Sequence, residues 1–83
     1  MALIYYVEDD QSISYIIEKT IEHAGYTGQG FQTGEAFLTA FKKQRPHMVL
    51  LDVMLPDVSG LDLLKIIRKL DTNVPVMMVS ALQ

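Results

Sequence analysis

The chain has no cysteine, which excludes disulfides and thiolate metal sites while leaving the redox compartment open. No apolar run approaches the ~18 residues that a membrane span needs, and the pattern of a signal peptide is missing. Basic residues are scarce. Seven Lys and Arg stand against ten Asp and Glu, for a net charge of −3, and they gather only at Lys42-Lys43 and Lys65…Arg68-Lys69. Nucleic acid is therefore not an expected partner of this segment, nor is a membrane, and the cytoplasm is the expected compartment. There are no repeats, linkers or low-complexity segments, so residues 1–83 are expected to form one domain. A chain of this size buries roughly 60–65% of the surface it exposes when unfolded, so its stability margin is thin. A Ser/His/Asp hydrolytic set, a phosphate-cradling glycine loop and a zinc site all lack the residues they require.

What the chain does have is 49% apolar residues, ample for a core, and a stretch that organises them. In Met48-Val49-Leu50-Leu51-Asp52, four apolar residues run into one carboxylate, and a proline-containing loop then leads to Ser59-Gly60. An unbroken apolar run of this kind reads as a strand buried on both faces of a parallel sheet. Asp52 would lie at its carboxyl end, where open α/β sheets place ligands. An acid left there unpaired is costly unless a cation comes to it.

The remaining elements fall into place around that strand. Leu3–Val7 is apolar and β-prone and ends in Glu8-Asp9-Asp10. Ile13, Ile16, Ile17, Thr20, Ile21 and Ala24 follow at helical spacing and predict one apolar helix face, closed by Gly25 as a C′ residue. Tyr26–Gln32, interrupted by Gly28 and Gly30, predicts a short edge strand. Thr33 can cap a second helix carrying Ala36, Phe37, Leu38, Ala40 and Phe41, which must stop before Arg45-Pro46. A third helix spans about Ser59 to Leu70, with Leu63, Leu64, Ile67 and Leu70 inward and Asp62, Lys65, Arg68 and Lys69 outward. Val74–Val79 then forms a fourth strand that delivers Ser80-Ala81.

The order βαβαβαβ predicts parallel strands joined by right-handed helical crossovers, with helices on both faces. Polar groups end three of the strands: Glu8 and Asp9, Asp52, and Ser80. The flavodoxin-like strand order 2-1-3-4 brings all of them to one edge of the sheet. Two unit charges 4 Å apart repel by about 4 kcal/mol at an effective dielectric near 20. Three converging carboxylates must therefore raise a pKa or bind a cation. A small all-oxygen ligand set beside open solvent suits Mg²⁺.

With these residues in view the sequence resembles the receiver domain of bacterial two-component response regulators. The matching elements are Val7-Glu8-Asp9-Asp10, the stretch from Asp52 through Pro56 to Gly60, and Val79-Ser80-Ala81, in the same order and spacing. The resemblance covers essentially the whole chain. It implies that Asp52 is the phosphoacceptor, with a histidine kinase as donor. Glu8, Asp9 and Asp52 would bind Mg²⁺, directly or through water, with the backbone carbonyl of Met54. Ser80 would bond the phosphoryl group, Ala81 would leave it room, and Pro56 and Gly60 would shape the intervening loop. It also implies a signalling domain rather than an enzyme, whose only chemistry is transfer to, and loss from, its own aspartate.

The chain departs from the family in length. Receivers continue with a fourth helix, a fifth strand ending in a lysine, and a fifth helix, so this chain resembles a receiver truncated at its C-terminal side. The lysine that would meet the phosphoryl group is not among these residues, and neither Lys65 nor Lys69 can replace it, so impaired phosphorylation is expected. The fourth strand becomes an exposed apolar edge, a template for pairing, and the sheet face beside the first helix loses cover. Self-association through either surface is expected. A self-associating fragment unable to accept phosphate is therefore the competing reading. A phosphohydrolase of the haloacid dehalogenase kind also uses a strand-end aspartate, but wants a second aspartate where this chain has Met54. Plainer roles suit the other polar residues: Asp10 as a helix cap, Asp57 as a solvated loop acid, Asp62 on an exposed face, and His23 and His47 at the surface. One of Tyr5 and Tyr6, if buried, needs a partner for its phenol.

Overall fold

The computed structural model describes residues 2–79. Four strands alternate with three helices: β1 (Leu3–Val7), α1 (Gln11–His23), β2 (Thr27–Phe31), α2 (Gly34–Lys43), β3 (Met48–Asp52), α3 (Gly60–Leu70) and β4 (Val76–Val79). Every pairing is parallel and the strand order is β2-β1-β3-β4, the flavodoxin-like arrangement expected from the strand ends. Each helix begins where a side-chain oxygen accepts an otherwise unpaired backbone amide. Asp10 takes the Ile13 N–H at 3.0 Å, Thr33 that of Ala36 at 3.1 Å, and Ser59 that of Asp62 at 3.1 Å. Gly25, at φ 89°, turns the chain out of α1 in a conformation that a side chain would oppose.

Alternation along the strands sorts the core into two faces. Tyr5 and Val7 of β1 and Val49 and Leu51 of β3 pack with Phe37 and Phe41 of α2 and Leu63 and Ile67 of α3. Ile4, Tyr6, Met48 and Leu50 point the other way, against Ile17 and Ile21 of α1. The glycines of β2 have a packing reason. A Cβ on Gly30 would run into the Tyr6 ring, so its absence lets Tyr6 lie across the edge strand. The Tyr6 hydroxyl then donates to Glu18 Oε1 at 3.1 Å, the partner its burial requires. Burial, and then Glu18, push the phenol pKa up.

Three expectations need correction. The apolar stripe of α1 is wider than the face the sheet takes: Ile21 is buried and Ile13 and Ile17 half-buried, but Ile16 (62% exposed), Thr20 and Ala24 face solvent. Among the described residues no other helix lies beside α1 on that face, so only its innermost arc is covered. In α3, Leu70 is exposed rather than inward, whereas Arg68 is half-buried rather than outward. Arg68 donates to the carbonyls of Val74 at 2.7 Å and Asp71 at 3.3 Å. The fourth strand begins at Val76, not Val74, because Val74 is already engaged at both ends. Its N–H donates to Asp71 Oδ1 at 3.1 Å and its carbonyl accepts from Arg68, while Pro75 has no N–H to offer.

Candidate functional site

The parallel register decides which strand ends meet. Val7 pairs with Leu51, and Asp52 with Val79, so the first residues beyond β1 come level with the end of β3. The Glu8 N–H donates to the Phe31 carbonyl at 2.9 Å, which continues the ladder one residue past β1 and fixes the backbone of Glu8. One carboxylate oxygen each from Glu8, Asp9 and Asp52 lies within 4.8 Å of the other two. Glu8 is 5% exposed and Asp52 9%, while Asp9 is open to solvent.

Each buried acid is held by a backbone amide. Glu8 Oε2 accepts the Asp10 N–H at 3.1 Å, and Asp52 Oδ1 accepts the Met54 N–H at 3.2 Å. Burial pushes the Glu8 carboxyl up; the Asp10 amide works against this, and the Asp52 and Asp9 charges reinforce it. A raised carboxyl is how crowded acids relieve their repulsion when no cation shares the site. The donor set is all oxygen, which suits a hard divalent ion such as Mg²⁺ far better than zinc or copper. The residues present therefore fit a metal ion.

The loop from Val53 to Ser59 meets the site through the Met54 amide. The Gly60 N–H donates to the Val53 carbonyl at 2.8 Å, closing the loop at its base. A methyl group on Gly60 would be driven into the Asp52 carbonyl, so only glycine lets α3 start this close to the end of β3. Met54 is 79% exposed and reaches Asp52 through its backbone amide, so its side-chain identity is unconstrained by packing. Pro56 lies exposed in the same loop. Ser80 and Ala81 fall outside the described residues.

A match to the family model for the response regulator receiver domain spans residues 4–83. The chain belongs to the receiver-domain family. Among curated relatives, the transcriptional regulatory protein CssR of Bacillus subtilis is 40% identical over 80 residues, covering 94% of this chain and 34% of CssR. The DNA-binding transcriptional regulator NtrC of Proteus hauseri is 33% identical over 78 residues, covering 94% of this chain and 16% of NtrC. This receiver chain thus spans about a third or less of either relative. Among solved structures, the response regulator TrrA of Thermotoga maritima in complex with Mg²⁺ and beryllium fluoride superposes with a TM-score of 0.95 at 26% identity, covering 100% of this chain and 72% of TrrA. TrrA in complex with the histidine kinase ThkA gives 0.93 at the same identity and coverage.

Among the plainer assignments, that of Asp10 stands as expected, while Asp57 and His47 gain weight. Asp10 is the cap of α1 and its carboxylate is spent on the Ile13 amide. Asp57 is more than a solvated loop acid: its two oxygens accept the N–H groups of Gly34 and Glu35, each at 3.0 Å. Nothing local in the sequence could reveal that contact, because the partners lie 22 and 23 residues apart. His47 is exposed but not idle, since its Nδ1 accepts the Leu3 N–H at 2.8 Å and helps hold the start of β1.

Proposed function

We propose that this receiver accepts a phosphoryl group on Asp52 from the phosphohistidine of a histidine kinase, in a reaction dependent on Mg²⁺. The observation that carries the reading is the convergence of Glu8, Asp9 and Asp52 within 4.8 Å, two of them buried. Glu8, Asp9 and Asp52, with the Met54 carbonyl, would hold Mg²⁺, which when bound neutralises charge on the phosphoryl oxygens and on the acids themselves. One Asp52 oxygen is the nucleophile. Its bond to phosphorus forms as the phosphorus–nitrogen bond of the donor breaks, and the electron pair leaves with the imidazole nitrogen, which takes a proton. The Met54 N–H holds Oδ1 and thereby fixes the plane of the carboxylate. Such positioning supplies much of what phosphoryl transfer asks of a protein. Ser80 would donate to the phosphoryl group and Ala81 would leave it space. Beyond transfer to itself and hydrolysis of its own acyl phosphate, no further chemistry is assigned. No helix among the described residues is long and apolar enough to cross a membrane, and a cytoplasmic setting fits a kinase partner.

The test is incubation with a small acyl-phosphate donor and Mg²⁺, read by intact mass. We expect a gain of one phosphoryl group, abolished by Asp52→Asn and by chelation of the metal. Labelling should be slow for these 83 residues, because Lys65 lies exposed midway along α3 and Lys69 in its last turn, away from the acids at the helix start. Labelling that persists in Asp52→Asn would end the assignment.

A second reading concerns the 83 residues on their own, and a specific observation favours it. β4 pairs only with β3 among the described strands, and Met77, on the α1 side of the sheet, is 53% exposed. This supports association between copies through β4 or through the open face beside α1, with phosphorylation playing no part.

A further inference from the structure

The geometry points to Asp57 as a positioning residue: it clamps the loop that follows Asp52 to the first turn of α2 and so couples ligation at the acid site to that helix. This rests on the phosphoacceptor reading and assigns it a residue outside the acid cluster.

The N-terminus of α2 is capped by two segments of chain. Thr33, its own cap, accepts the Ala36 N–H at 3.1 Å, and the Thr33 carbonyl accepts that of Phe37 at 3.2 Å. The two amides that remain, Gly34 and Glu35, both donate to Asp57, one to each carboxylate oxygen. The Phe37 bond is the first of the helix's own ladder, and the three amides of the first turn that lack a partner inside the helix, Gly34, Glu35 and Ala36, are all satisfied, two of them by the loop between β3 and α3. The adjacent Val58 presses on Gly34 so closely that a side chain there would collide with it. These two amides hold the Asp57 carboxyl below the usual aspartate range, as expected for a charge bonded at the positive end of a helix.

At its other end the same loop touches the site. Met54, three residues before Asp57, donates its N–H to Asp52 Oδ1. Between these anchors the side chains of Met54, Pro56 and Asp57 are exposed, so apolar packing holds the loop only through the half-buried Leu55 and Val58. The Val53–Met54 peptide is held at the loop base by the Gly60 bond to the Val53 carbonyl, and Asp57 fixes the far side of the same loop. Coupling of this kind is reciprocal. A change in the geometry of Asp52 on ligation is passed along three residues of backbone to the Gly34 and Glu35 amides.

The experiment is a Mg²⁺ titration of the 83-residue chain followed by amide NMR, for wild type, Asp57→Ala, Asp57→Asn and Thr33→Ala. The last variant weakens the start of α2 without touching the clamp, so it reports what mere helix stability contributes. In wild type we expect the Met54, Gly34 and Glu35 amides to move with one shared midpoint. In Asp57→Ala the acids should still respond, with a dissociation constant roughly 3- to 10-fold higher, while Gly34 and Glu35 fall silent. Asp57→Asn, which keeps one acceptor, should lie between; it carries the test if the alanine variant does not fold. Thr33→Ala should bind Mg²⁺ like wild type. Equal affinity in Asp57→Ala and wild type, or equal weakening by Thr33→Ala, would overturn the clamp while leaving the metal site standing. No response of Glu8, Asp9 and Asp52 to Mg²⁺ in wild type would instead remove the phosphoacceptor reading, and the clamp with it.

Discussion

Glu8 carries the electrostatic tension of the site, since burial and the neighbouring Asp52 and Asp9 raise its carboxyl. A carboxyl raised by folding binds a proton that the unfolded chain has already released. Its contribution to stability is thus complete below the unfolded value, given by 4.5 for an ordinary glutamate, and is lost as pH rises through the folded one. With metal chelated, the melting temperature should fall as pH rises through that window. Glu8→Gln should flatten the dependence and melt higher at the alkaline end, by about 4–8 °C for each kcal/mol of repulsion relieved. Thermal melts by circular dichroism at several pH values check this, and parallel curves for the two proteins would refute it. Asp57 and Asp71 have the opposite sign. Amides of Gly34 and Glu35 lower the one; amides of Asn73 and Val74, with Arg45, lower the other. What they add to stability is present above 3.8 and lost as pH falls through their lowered values.

At the level of elements, the close junction of β3 and α3 is the most demanding feature. Gly60 was legible as part of a loop pattern, but its physical reason is the Asp52 carbonyl standing where a Cβ would have to go. Gly60→Ala must push α3 away from the strand that carries Asp52. We expect a loss of about 1–3 kcal/mol, the usual cost of overpacking, measured as a shift of the urea midpoint at constant slope. An unchanged midpoint would show that the junction yields freely. The element most misjudged from sequence was α1. Its stripe from Ile13 to Ala24 satisfies helical periodicity throughout, yet Ile16, Thr20 and Ala24 face water. Periodicity states which residues share a helix face but not how wide an arc a neighbour will cover. The bounds of β4 were misread for a related reason, because Asp71 and Arg68 claim Val74 before the sheet can.

For the molecule as a whole, the two faces of the sheet are unequally covered. Among the described residues, two helices close the side holding Tyr5, Val7, Val49 and Leu51, whereas α1 alone lies over Ile4, Tyr6 and Leu50. Met77 pairs in register with Leu50 and remains 53% exposed. Exposed apolar surface beside a strand edge favours contact between copies. At tens of micromolar the 83-residue chain should scatter light as a dimer or larger species, and Met77→Lys should shift it toward monomer. A monodisperse monomer in the wild type would exclude this association.

Local pattern along the chain is enough to set the alternation of strands and helices, the parallel sheet and the identity of the three acids. These depend on local periodicity, on capping residues and on polar groups placed at strand ends. Folding in three dimensions brings one oxygen from each acid within 4.8 Å of the others and carries Asp57 back across the fold to α2. Both depend on register and on the path of a loop between elements far apart in the chain. Such contacts join residues whose neighbours in sequence carry no trace of them.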